Sequence, residues 1–214
     1  MAGSNAMKNV TIIDHPLAHH SITILRDKGT LTQEFRHHAA IVSKIVAIAA
    51  TKELKLTDKK IATPLSPMTG RKLKDEIVLV PVLRAGLAML FALQDFLPGA
   101  AVGFIGLERD EKTAIAREYY QKLPKLLKTH TVMVLDPMLA TGGSFDDTVS
   151  VLKKKGAKHI ILVCIVAAPE GLERLAKEYP QIVIYTAAID RRLNGKKYIV
   201  PGLGDFGDRY FGTR

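Results

Sequence analysis

Two spacings of apolar residues run through the chain, and together they predict its architecture. Continuous apolar runs at Glu76–Leu83, Ala101–Leu107, Thr131–Leu135, His159–Val166 and Ile182–Ala187 have the composition of strands buried on both faces. The segments between them read as helices. Leu87–Leu97 is stopped by Pro98-Gly99, a second runs from about Gly142 to Lys155 before Gly156, and a third from Pro169 through Lys177 is closed by Pro180. Strand–helix–strand alternation at this spacing predicts an α/β domain with a mostly parallel central sheet flanked by helices. Upstream, Leu31, Phe35, Ala39, Val42, Ile45, Val46 and Ala49 recur at three- and four-residue steps. They predict a long amphipathic helix ending near Lys52, with Thr30 and Gln33 as a capping box. Its stripe is core or, alternatively, part of a subunit interface. Pro64, Pro67 and Gly70 punctuate Ile61–Lys72 into a short strand and turn. The charge-dense segment Arg109–Leu127 reads as a hairpin arm or flap, whose Tyr119-Tyr120 either cover a ligand or pack on a neighbouring surface.

Chemistry gathers at the carboxyl ends of the predicted strands, where ligands bind in sheets of this kind. The apolar run Val132–Leu135 meets Asp136, and a short link, Pro137-Met138-Leu139-Ala140, leads to Thr141-Gly142-Gly143-Ser144 at a helix start. Such a loop can turn several backbone N–H groups toward one phosphate, and the helix dipole favours negative charge there. Arg84, at the end of its strand and just before Ala85-Gly86, is placed to bind an anion or to form a structural ion pair. Arg109 falls at the same edge. Past Tyr198-Ile199-Val200, the tail Pro201–Arg214 is rich in glycine, yet it carries Leu203, Phe206, Tyr210 and Phe211, which are costly to expose. It reads as an ordered loop whose backbone approaches a small flat ligand.

Composition narrows the class. A chain of 214 residues with 47% apolar content supports one domain with a real core. Met1–Ala6 reads as a remnant of an expression tag ahead of a native Met7, leaving 7–214 as the single domain. No apolar run reaches the roughly 20 residues of a membrane span. The single cysteine, Cys164, lies inside an apolar run, as a core residue would, and fits a reducing cytoplasm. Lys plus Arg exceeds Asp plus Glu by 31 − 21 = +10. That charge suits phosphorylated metabolites and nucleic acid equally. Lys153-Lys154-Lys155 suits an exposed helix C-terminus. The pairs His19-His20 and His37-His38 lack the partner set of a metal site.

These residues resemble the type I phosphoribosyltransferases, whose signature is an apolar strand, one or two acidic residues and a loop ending in Thr-Gly-Gly. The departure Asp136-Pro137, with Leu83-Arg84-Ala85-Gly86, Glu108-Arg109-Asp110 and the tail from Pro201 through Thr213, is similar to the uracil phosphoribosyltransferases within that family. The resemblance runs from about His15 to the C-terminus. It implies a phosphoribosyltransferase fold with a β-hairpin flap and a C-terminal hood over the base. The implied reaction joins uracil to 5-phosphoribosyl 1-diphosphate, giving UMP and diphosphate with Mg²⁺. Carried onto this chain, the resemblance gives Asp136 the ribose hydroxyls and Ala140–Ser144 the 5′-phosphate, with Pro137, Met138 and Leu139 in the same binding loop. Arg84 and Arg109 would meet the diphosphate. Uracil would lie on backbone near Ile199, Gly204 and Phe206, with Asp205 touching the phosphoribosyl substrate. Phe206 stands where relatives often have alanine. Dimers or tetramers, and GTP as an effector, belong to the same expectation.

Three rivals remain on sequence grounds. An RNA-binding pyrimidine regulator on the same fold is allowed by the charge, but no RNA-recognition motif appears, so no nucleic acid is expected. A phosphoribosyltransferase for another base is opposed by the tail. A catalytically silent subunit is opposed by the intact loop and both arginines.

Overall fold

The structure, a computed structural model, describes residues 8–109, 116–125 and 128–213. Val10–Ile12 (β1) is a short edge strand, followed by the helix Pro16–Arg26 (α1). Pro16 occupies the first turn, where its missing N–H costs nothing, and His15 Nδ1 accepts the Leu17 N–H at 3.1 Å as the cap. A histidine cap lies outside the usual set of Ser, Thr, Asp and Asn. Thr32–Ala50 (α2) is the long amphipathic helix expected. Its start corrects the expected capping box: Thr30 Oγ1 donates back to the Ile24 carbonyl at 2.6 Å, and Leu31 caps without a side-chain bond. Phe35, Ala39, Val42 and Val46 from the stripe are buried, while Leu31 is 76% exposed.

Leu56–Ala62 (β2) and Pro67–Leu73 (β3) pair antiparallel as a separate, exposed hairpin, longer than the short strand and turn expected. Thr63 Oγ1 closes its turn by accepting the N–H groups of Leu65 and Ser66. Ile77–Leu83 (β4) and Gly86–Gln94 (α3) follow as expected. The strand expected at Ala101–Leu107 divides at Gly103 into Ala101–Val102 (β5) and Phe104–Arg109 (β6), both parallel to β4. Ala116–Lys122 (β7) returns antiparallel to β6. Residues 110–115 and 126–127 of the expected arm lie outside the described residues.

Thr131–Leu135 (β8), Met138–Leu139 (β9), Gly143–Lys154 (α4), His159–Ala167 (β10), Pro169–Glu178 (α5) and Val183–Ile189 (β11) complete the alternation. Arg192–Leu193 (β12) pairs antiparallel with Ile199–Val200 (β13). The tail is ordered, and its second half is not loop but helix, Phe206–Phe211 (α6). Asp205 caps it by accepting the Asp208 N–H at 2.9 Å, and Gly212 ends it at φ 73°. Six residues are too few for helical periodicity to announce.

The main sheet runs β1-β11-β10-β8-β4-β6-β7, with β5 and β9 as short additions. Its pairs are parallel except β6–β7. Strand alternation divides the core in two. Leu79, Met133, Leu135, Val163 and Tyr185 face α1, α2, α3 and α6, while Val80, Val132, Val134, Leu162 and Ile184 face α4 and α5. This two-sided burial is why the strands are continuous apolar runs, and why the first polar residues after them crowd one sheet edge.

Candidate active site

The parallel register fixes the site. Pro81 pairs with Leu135, so Arg84 and Asp136 emerge from the same edge of adjacent strands. After Asp136 the chain makes β9 against the end of β10, then turns through Thr141 and Gly142 into α4. Gly142 caps α4 at φ 79°, a conformation a side chain disfavours, and supplies no side-chain acceptor to the helix. Among the first-turn N–H groups of α4, that of Gly143 donates to Thr141 Oγ1 at a long 3.4 Å, a weak bond that an anion at this helix start could replace. Asp146, in that first turn, is drawn away from the loop: it accepts from Tyr179 Oη at 2.5 Å and pairs with Arg174. Gly171 of α5 packs beneath the loop so closely that a Cβ there would lie 2.3 Å from the Ala140 carbonyl oxygen.

Met138–Ser144 and the tail meet around one cavity of about 230 Å³, lined also by Leu107, Lys197, Tyr198, Ile199, Gly204, Asp205 and Phe206. A second chamber opens beside it between Arg84, Tyr119, Asp205 and Gly207, sharing Leu107 and Asp205 with the first. The two adjoin along Leu107 and Asp205, with Met138–Ser144 lining the first and Arg84 the second. Arg84 is 61% exposed at its side chain and lies 3.6 Å from Asp208. The Leu83–Arg84 peptide is cis.

Two of the expected residues sit apart from the cleft lining. Asp136 and Pro137 line neither chamber; Asp136 is buried at the root of the loop, where its carboxylate accepts the Met138 N–H at 3.3 Å. Burial pushes its carboxyl up to about 7, against a smaller downward pull from that hydrogen bond. Arg109 ends β6 at the same edge, and its side chain lies outside the described residues. Phe206 lines the cavity, yet its ring is 2% exposed and packs edge-on against Phe35, with centroids 5.1 Å apart. The phenylalanine at this position is therefore accommodated by the core behind the tail.

Several contributors were not singled out from sequence. Lys197 and Tyr198 reach the cavity from the β12–β13 turn, where Asn194 Oδ1 accepts the N–H groups of Lys196 and Tyr198. The Asn194-Gly195 dipeptide was the available signal. Asp208, partner of Arg84, gave none. Among the described residues no three His, Cys, Asp or Glu side chains form a metal-binding group. Cys164 is fully buried, as expected.

The chain matches the family model described as uracil phosphoribosyltransferase over residues 12–213. A uracil phosphoribosyltransferase of Bacillus cytotoxicus is 48% identical over 213 residues, spanning 97% of this chain and 100% of the relative. The solved structure of the AQ2163 protein from Aquifex aeolicus superposes with a TM-score of 0.90 at 36% identity, covering 94% of this chain and 97% of that one. A hypoxanthine-guanine phosphoribosyltransferase of Bacillus anthracis, 12% identical with a TM-score of 0.51 over 74% of this chain and 80% of its own, shares the fold. A match that runs through Asp136–Ser144 and the tail alike places the chain in the uracil phosphoribosyltransferase family.

Proposed function

We propose that the protein moves the phosphoribosyl group of 5-phosphoribosyl 1-diphosphate onto uracil, as its relatives' name states, forming UMP. The carrying observation is the single cleft that joins Met138–Ser144 to Ile199, Gly204 and Phe206, with Arg84 beside it. In the reaction the ribose C1–oxygen bond to diphosphate breaks, and a bond from C1 to a uracil ring nitrogen forms. Positive charge builds on the ribose and negative charge on the leaving group.

The residues divide that work. Backbone N–H groups of Ala140–Ser144 hold the 5′-phosphate at the start of α4. Asp136 accepts hydrogen bonds from the ribose hydroxyls. Its raised pKa means that a diol donating to the ionised form draws the carboxyl toward ionisation as the sugar binds. Arg84 and Arg109 stabilise the departing diphosphate, a charge-assisted role worth more in the transition state than in the ground state. Uracil lies on the tail, whose N–H and C=O groups match its alternating acceptor–donor edge and disfavour cytosine. The hairpin carrying Tyr119 excludes water from the activated sugar.

Phosphoribosyltransferases generally use Mg²⁺ with this substrate, and the donors here fit it. Asp205, whose carboxylate belongs to a residue lining both chambers, is an oxygen donor of the kind Mg²⁺ takes beside substrate phosphates and water. When bound, the ion neutralises diphosphate charge. No helix among the described residues is long and apolar enough to cross a membrane. A cytoplasmic setting, in the reading proposed here, is supported by the lone buried thiol. Association into dimers or tetramers is supported by apolar side chains exposed on the β2–β3 hairpin, among them Leu56, Leu65 and Met68. GTP activation belongs to the same reading and is read by adding GTP to the assay.

The deciding experiment is diphosphate release from 5-phosphoribosyl 1-diphosphate and Mg²⁺ across a panel of bases. Release with uracil is expected; release only with hypoxanthine or guanine would overturn the assignment. Arg84→Ala should slow turnover by an amount equivalent to about 1.5–3 kcal/mol, the scale of one charge-assisted contact, without unfolding the protein.

A further inference from the structure

Gly202 lies two positions before Gly204 and is gripped through both polar atoms of its backbone. Its N–H donates to Asp190 Oδ2 at 2.9 Å, and its carbonyl accepts from Arg26 Nη1 at 2.8 Å. Arg26 and Asp190 are themselves joined as a fork, Nη1 to Oδ2 at 2.9 Å and Nη2 to Oδ1 at 2.6 Å. The Asp190 side chain is 4% exposed and that of Arg26 25%, so the pair works largely out of water. Residue 202 has φ 62°, and a Cβ there would stand 2.2 Å from the Ile199 carbonyl oxygen. Arg26 is the last residue of α1, and Asp190 follows β11 directly. Neither lines the cleft.

The fork between a guanidinium with five donors and a carboxylate with about four acceptor sites leaves capacity for other partners. The pair spends two further hydrogen bonds on a single residue of the tail, and so fixes the rotation of the backbone there. Immediately downstream, the Leu203 carbonyl accepts from buried Arg209 at 2.7 Å, and Gly204, Asp205 and Phe206 then line the cavity. We propose that Arg26 and Asp190 are positioning residues for the base. They hold residue 202 so that the following backbone presents its N–H and C=O groups to the acceptor base at a fixed spacing. The phosphate loop is held elsewhere, by β9 against β10 and by α5, so the pair acts on base binding more than on the sugar phosphate.

The inference rests on the assignment of uracil to the tail, and the assay separates the two. Wild-type protein that turns over no uracil overturns the base assignment, and this proposal with it. Given wild-type turnover, steady-state kinetics of Asp190→Asn with each substrate varied should show the KM for uracil raised at least tenfold. The KM for 5-phosphoribosyl 1-diphosphate and kcat at saturation should stay within threefold. Arg26→Lys keeps the charge but not the planar fork, and should fall between wild type and Asp190→Asn. It also carries the test should Asp190→Asn fail to fold, since its own KM for uracil should rise about threefold or more. A KM for uracil within twofold of wild type in both soluble variants would overturn the proposal. So would equal rises in both KM values, or a loss confined to kcat.

Discussion

Replacing Asp136 with asparagine should stabilise the protein while removing most of its turnover, and the stabilisation should depend on pH in a defined way. Asp136 is 8% exposed, and burial raises its carboxyl from 3.8 to about 7. The native state therefore keeps this proton over a range where the unfolded chain has given it up. The contribution of this one carboxyl to stability is most favourable below pH 3.8, falls as pH rises from there to about 7, and levels off above, where the native state carries the full cost of a buried charge. With these two values, the linkage relation gives a cost on the order of 2 kcal/mol at pH 5 and 4 kcal/mol at pH 8.

Asparagine keeps an oxygen for the Met138 N–H and carries no charge, so its stability lacks this pH dependence. Its amide hydrogens need partners, which lowers the gain equally at every pH without changing the slope. The difference in stability between variant and wild type should thus grow by about 2–3 kcal/mol from pH 5 to pH 8. For a chain of 214 residues that is roughly 5–10 °C in the Tm difference. Thermal melts by circular dichroism at matched ionic strength measure it, and uracil-dependent diphosphate release on the same samples reads the activity. Parallel Tm-against-pH curves for the two proteins would refute the burial argument. Near-normal UMP formation by the variant would refute the role in holding ribose.

Three further outcomes follow from the packing. Gly171→Ala should push the Ala140–Ser144 loop, proposed above to hold phosphate, because the added Cβ would stand 2.3 Å from the Ala140 carbonyl oxygen; a loss of about 1–3 kcal/mol in stability and at least a tenfold rise in the KM for 5-phosphoribosyl 1-diphosphate are expected from melts and kinetics. Cys164, with its thiol pushed by burial up to about 12, should resist alkylation by iodoacetamide at pH 8 and react only when denaturant unfolds the chain, as mass spectrometry would show. Arg209→Leu should cost about 3 kcal/mol or more, since it strips the carbonyls of buried Leu25 and Leu203, and that of exposed Asp27, of a donor; the expected signs are a lower denaturation midpoint and faster proteolysis of the tail.

What could be read from the sequence was what local spacing encodes. β8 and β10 are apolar throughout because both faces are covered, and Asp136 with Thr141–Ser144 stands out as polar and small against such runs. The same spacing marked α2 through Phe35, Ala39, Val42 and Val46. It failed at α1, where the cap is a histidine, and at α6, which is too short to show a period. It was silent on Arg26, Asp190 and Arg209 for a different reason. Each has a partner 164 to 184 positions away, and nothing in the neighbouring residues marks an arginine that ends a helix as one that will grip a distant glycine. Gly171 looked like an ordinary helical residue; only the approach of the Ala140 carbonyl makes its missing side chain matter.

The bonds from Arg209 to Leu25 and Asp27 also bear on the order in which the protein becomes competent. They join positions 184 and 182 apart, a costly closure for a chain with nothing yet in place. Once β1 has paired with β11, Val10 against Ile184, most of that separation is already bridged, and docking the tail requires only a short remaining excursion. The phosphate loop asks for less, being assembled from β8, β9, β10 and α5, which are neighbours in sequence. During refolding, the capacity to hold a sugar phosphate should therefore return before the capacity to accept a base. Uracil turnover would then report completion of the whole molecule, while phosphate binding, as proposed above, reports only the stretch from β8 to α5.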